Sequence, residues 1–138
     1  ALFLERVDYT LTNQSGHDIH GQNLFNTSFA RANENGADFS DAHLQGTNFT
    51  KAEFSAAHFH GADLSDALMD RADFSKTDLR DALLIGVIAS GSSFAGADIE
   101  GADFSDALLD REDQRRLCQD ADGVNPTSGI ATRDSLDC

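Results

Sequence analysis

Large apolar residues recur at every fifth position along most of this chain. They occupy positions 4, 9, 14 and onward to 109, 22 positions in unbroken phase, of which nineteen are large and apolar. Gln14 and Glu34 break the rule by polarity and Ala89 by size. Two residues before each of these positions, from 37 to 82, stands only Ala or Thr. A period of five matches neither the 3.6 of a helix nor the 2 of a strand. It predicts short extended segments separated by turns and wound into a solenoid, in which each coil stacks on the last. One large and one small inward residue per block is what a narrow, close-packed interior requires.

A longer period lies behind the short one. Leu4, Leu24, Leu44, Leu64 and Leu84 are spaced by twenty and followed by Phe104, and Phe54, Phe74 and Phe94 form another such set. Gln14 and Glu34 precede that second set in the same register. Four blocks therefore make one coil, and like residues stack in columns. At the inter-strand spacing of ~4.8 Å, about five and a half coils give an all-β rod on the order of 26 Å long.

The blocks Ala37-Asp38-Phe39, Ala62-Asp63-Leu64, Ala72-Asp73-Phe74, Ala97-Asp98-Ile99 and Ala102-Asp103-Phe104 resemble the motif of the pentapeptide-repeat family. The resemblance implies a right-handed quadrilateral β-helix, here over residues 2–111. Residues 112–138 differ in kind and are expected to form a short α-helical C-terminal cap. Asp110 is placed to start a helix and Gly123 to stop it, with Thr132 capping a last short turn. Leu117 is the residue expected to plug the open end of the last coil, whose apolar edge and free strand groups need cover.

The tail, LCQDADGVNPTSGIATRDSLDC, resembles the C-terminal segment of pentapeptide-repeat proteins of the thylakoid lumen in chloroplasts and cyanobacteria. That resemblance implies a disulfide between Cys118 and Cys138 and places the chain in the chloroplast thylakoid lumen, or the cyanobacterial lumen or periplasm. Two cysteines confined to a short irregular tail fit a bridge in an oxidising compartment. Reduction would then loosen the lid.

Charge narrows the partners. There are 24 acidic against 10 basic residues, net −14, which repels phosphate backbones and anionic lipid. No apolar run is long enough to insert in a membrane. The acidity also fits an alternative reading, a DNA-mimicking modulator of gyrase or topoisomerase, as some members of the family are. A column of basic residues, Arg31, Lys51, Arg71 and Arg111, fits that mimicry less well, although Glu53 and Asp73 stand close enough to neutralise it.

No catalytic motif and no cofactor or metal signature is present. The recurrent Asp of the second position is expected to bond neighbouring backbone at turns. His58 falls in a column with Asp38 and Asp78, so it and His60 are candidate pH-sensitive groups. Leu68, Ile88 and Leu108 replace the polar second residue at intervals of twenty, with Leu83 and Ile85 beside them. A contiguous apolar ladder marks a contact, either with the folded-back tail or with a protein partner. The function expected is that of a non-enzymatic structural or protein-interaction module, responsive to redox state or pH, with monomer and homodimer both open.

Overall fold

The computed structural model describes residues 8–138; the first block of the repeat, centred on Leu4, lies outside them. From Asp8 onward each second-position residue forms a parallel bridge with the residue twenty further on, from Asp8 with Ser28 through Leu83 with Asp103. The ladder closes in a pair of two-residue strands, β1 (Ile88–Ala89) and β2 (Leu108–Leu109), paired in parallel at the same twenty-residue offset. Each coil has four faces, and the chain turns a corner every five residues.

The corners have a backbone feature that the sequence pattern did not reveal. Every fifth residue from 11 to 106 has positive φ, and the amide of the following residue bonds back over three residues, as Ala32 N to Phe29 O at 2.9 Å. Positive φ at only the third residue of the turn makes it type II. Several of these corners are not glycine: Asp41, Asp66, Asp81 and Asp106 suit the conformation, but Arg31, Lys51, Arg71 and Lys76 adopt it too. The corner is held from outside by the second-position side chain. Asp38 Oδ1 accepts the Ser40 amide at 2.9 Å, Asp63 Oδ1 that of Ser65 at 3.0 Å, and Asp73 Oδ1 that of Ser75 at 2.9 Å. The repeated Asp is therefore a turn residue, bonding two residues onward.

The interior is filled in columns. Phe39 stacks on Phe59 at 5.0 Å between centroids, Phe54 on Phe74 at 5.1 Å and Phe74 on Phe94 at 5.9 Å. The alanines two residues before each large side chain are buried from Ala32 to Ala82 and at Ala102, as the narrow bore demands, and only partly buried at Ala97 and Ala107.

Beyond Leu109 the chain leaves the ladder. Helix α1 (Arg111–Asp120) follows at once, and α2 (Thr132–Ser135) lies near the C-terminus. Arg111 therefore heads a helix and does not extend the corner column of Arg31, Lys51 and Arg71. Asp110 occupies the N-cap position without a side-chain cap bond; its Oδ2 instead accepts the Gly91 amide at 2.8 Å, a ladder donor left open where the coil ends. α1 stops at Asp120, before Gly123, and Thr132 is the first residue of α2, behind an Ala131 N-cap.

The C-terminal segment packs across the last coil. Leu117 and Leu136 are buried with the core. Phe104 N donates to Ser135 Oγ at 2.9 Å, and Gly101 N to Asp122 O at 2.9 Å. Asn125 is fully buried: its Nδ2 donates to the carbonyls of Gly101, Ala82 and Asp81 at 3.0, 3.2 and 3.3 Å. Its Oδ1 accepts the amides of Thr127 and Ser128. One side chain thus satisfies the edge of the solenoid and the turn that follows.

Candidate functional site

Three features of the outer surface and tail could carry function: the apolar ladder, the charged corners and the disulfide. The ladder is the most distinct. Leu68 bridges Ile88, which bridges Leu108, so the three side chains rise one above another on a single face. They are 38, 40 and 56 % exposed, so the tail does not cover them. Leu83 and Ile85 lie on the adjoining face and are half-buried, which leaves a narrow apolar strip three rungs tall. Beside its upper end is a groove of about 370 Å³ between the last coil and the tail, lined by Ser105, Asp106, Leu108, Gln114 and Asp137.

The charged groups pair differently from the column arithmetic. Arg71 pairs with the adjacent Asp70 at 3.1 Å rather than with Asp73. Arg31 and Lys51 form no ion pair among the described residues, so local neutralisation of this corner is partial. The strongest pair was not anticipated. Arg80 grips Asp78 in two-pronged fashion, Nε to Oδ1 at 2.9 Å and Nη2 to Oδ2 at 2.8 Å. Partial burial pushes the Asp78 carboxyl up, but its bonds from Arg80 outweigh this and hold it below the ordinary value.

This pairing changes the histidine picture. His58 does stack between Asp38 and Asp78 in the ladder, yet its ring makes no ion pair or side-chain hydrogen bond among the described residues. Asp78 faces Arg80 and Asp38 bonds the backbone of Ser40. His60 Nε2 approaches Asp81 Oδ2 at 3.3 Å. Two other histidines are more closely engaged. His20 Nδ1 lies 2.6 Å from Asp18 Oδ1, and that bond raises the imidazole pKa and lowers the carboxyl. Asp38 completes a cluster in which the polar atoms lie within 4.8 Å of one another. His17 points inward, its Nδ1 3.7 Å from the carboxylate of fully buried Glu34. The break in apolar phase at position 34 was the available signal for this last pair.

In the tail, Cys118 and Cys138 are joined by a disulfide, with Cα atoms 5.6 Å apart. Gln114 Nε2 donates to Leu136 O at 2.6 Å and Arg133 Nη1 to Cys118 O at 3.2 Å. The bridge and these bonds tie α1 to the C-terminal residues. No helix among the described residues is long and apolar enough to cross a membrane.

A model of pentapeptide repeats matches residues 35–71 and 72–111, in eight copies. No curated protein matches the chain. Among solved structures, HetL from the cyanobacterium Nostoc, a pentapeptide repeat protein involved in heterocyst differentiation regulation, is 28 % identical with a TM-score of 0.72. The match covers 75 % of this chain and 46 % of HetL. A pentapeptide repeat protein from the thylakoid lumen of Arabidopsis thaliana is 37 % identical over 86 % of this chain and 90 % of its own, with a TM-score of 0.44. QnrB1, a plasmid-mediated fluoroquinolone resistance protein, is 20 % identical over 74 % of this chain and 64 % of its own, with a TM-score of 0.48. The fold is the right-handed β-helix solenoid of these repeats.

Proposed function

The chain belongs to the pentapeptide-repeat family, and we propose that it serves as a non-enzymatic protein-docking scaffold of the thylakoid lumen. Members of the family are in general structural or interaction modules. The observation that carries the reading is the exposed ladder Leu68–Ile88–Leu108, three large apolar side chains stacked in register on one face, whereas the other exposed large apolar residues, Leu11, Phe25, Val124 and Ile130, lie outside this column. Most other blocks carry Asp, Asn, Ser, His or Glu at this position, so the fold does not require leucine there, and a partner removing the strip from water gains from it. The lumen assignment rests on the tail, since a bridge between Cys118 and Cys138 persists where thiols are oxidised. In this reading α1, α2 and the bridge cap a rod of about five coils, and the groove beside Leu108 belongs to the docking surface.

A photo-crosslinking residue at position 88 tests the reading, with one at Asp98 on the opposite face as control. Specific capture of the same lumenal protein from positions 68, 88 and 108 but not 98, with capture from 108 abolished by Leu68→Asp with Ile88→Asp, supports it. Equal capture from position 98, or none at all with the protein monomeric in sedimentation, overturns it.

The second reading, an acidic mimic of duplex DNA, is favoured by the net charge of −14. Arg31 and Lys51 along one corner, without an ion pair among the described residues, oppose it. An effect on gyrase supercoiling at micromolar protein would select it.

A further inference from the structure

Glu34 is the only carboxylate at an inward position of the described coils, in the column that continues as Phe54, Phe74 and Phe94. Both of its oxygens are buried and lack a hydrogen-bond partner among the described residues. His17 Nδ1, the nearest titratable atom, is also buried and unpartnered, at a distance too long for a hydrogen bond. The backbone cannot swing the side chain out. Glu34 N is fixed to Glu53 O at 2.8 Å, and Glu34 O receives the Ala37 amide at 3.0 Å. Of the described inward-facing residues on its own coil and the two stacked on it, only His17 and Tyr9 titrate besides Glu34, and Tyr9 stacks on Phe29 at 4.7 Å. The acids nearest in sequence are Asp38, which points outward from the wall, and Asp41, at an exposed corner; Glu53, in the segment paired with Asn33, also points outward.

We propose that Glu34 is a proton-operated latch: protonated, it lets the coil of residues 8–27 stay closed on its neighbour, and ionised, it opens that coil. A neutral carboxyl in this site costs unmet hydrogen bonds, whereas a carboxylate there is an uncompensated buried charge, which is far more costly. Burial pushes the Glu34 carboxyl up from its ordinary 4.5 to about 7. The closed coil therefore holds a proton that the open chain releases above 4.5, so its stability is fully present in acid and falls as pH rises through 7. The device would order this end of the solenoid in an acidic compartment and release it in a neutral one.

Amide hydrogen exchange on the full chain tests this, with rates corrected for the intrinsic effect of pH. Between pH 5 and pH 8 the opening constant for amides such as Ile19, Leu24 and Asn33 should rise about seventy-fold, while those of Leu64 and Leu84 change little. In Glu34→Gln, and in Glu34→Leu as a second variant, the rise should vanish. A wild-type response that is flat, or one that persists in the variants, overturns the latch. Carbon-13 titration of the Glu34 carboxyl in the unaltered protein decides independently. A midpoint near 7 supports the proposal, and one below about 5.5 refutes it.

Discussion

Around residues 9–34 the interior of the solenoid holds Tyr9, Gln14, His17 and Glu34, whereas from Phe54 to Phe104 its inward residues are apolar except for Thr77 and Ser92. Both hydroxyls of the second region are satisfied by the wall itself: Thr77 Oγ1 donates to Phe74 O at 2.7 Å, and Ser92 Oγ bonds Met69 O. No such remedy exists for Glu34. In both cases the wall offers carbonyl oxygens, which accept; a hydroxyl can donate to them and a carboxylate cannot. The same repeat therefore tolerates one kind of polar intrusion and is poised by another. The C-terminal coils are further secured by Leu117, Asn125 and the Cys118–Cys138 bridge.

The sharpest way to break this contrast is to remove packing from each region in turn. Phe74 is fully buried and stacks with both Phe54 and Phe94. Phe74→Ala should cost about 3–5 kcal/mol, read as a lowered urea midpoint at constant m-value. Tyr9→Ala, at a half-buried position, should cost clearly less. If the two costs are equal, the C-terminal coils are not the firmer part.

Replacing Cys118 and Cys138 together by serine comes next in size. Closing a loop with a sequence separation of 20 contributes roughly 3 kcal/mol in the chain-entropy model. The loss should appear first in exchange at Gly101 and Phe104, whose amides bond the tail, while Ile19 and Leu24 keep their protection. Parallel loss at both ends would mean that the solenoid opens as one unit and that the two regions do not differ in stability.

Much of this was legible in the sequence because the period is redundant: every inward position is specified by its neighbours above and below. Coil register, the core columns, the turn-bonding Asp and the exposed ladder of Leu68, Ile88 and Leu108 all follow from spacing. The positive φ at Arg31, Lys51 and Arg71 did not follow, because those residues resist that conformation individually and adopt it only when the ladder on both sides imposes it. Arg111 was assigned to the same column because five-residue spacing has no signal for the point at which a helix takes over. The side-chain pairs around the histidines did not follow from column arithmetic either. Column neighbours share backbone hydrogen bonds, but a side chain can reach along its own segment, as Arg80 to Asp78 and His20 to Asp18, or across to the next coil, as His60 to Asp81. The tail's packing was the least visible part. That Asn125 would serve three carbonyls depends on where an irregular segment returns, and nothing periodic encodes it.

The smallest test uses two glycines with the same backbone and different surroundings. Gly16, near the N-terminal end, has φ 73°, and an added Cβ would meet nothing within 4 Å. Gly123, in the tail, has φ 80°, and an added Cβ would lie 3.1 Å from Gly101 N and 3.2 Å from Glu100 Cγ. Alanine at either site pays the left-handed penalty of about 1 kcal/mol. At Gly123 it must also displace the Gly101 backbone, whose amide is bonded to Asp122 O at 2.9 Å. Gly123→Ala should therefore cost about 0.5–1 kcal/mol more than Gly16→Ala, measured as the difference in urea midpoints. The excess reports how strongly the contact between Gly123 and the last coil resists displacement, separated from backbone strain. An excess near zero would mean that the tail gives way freely and that the firmness of the C-terminal end comes from the bridge alone.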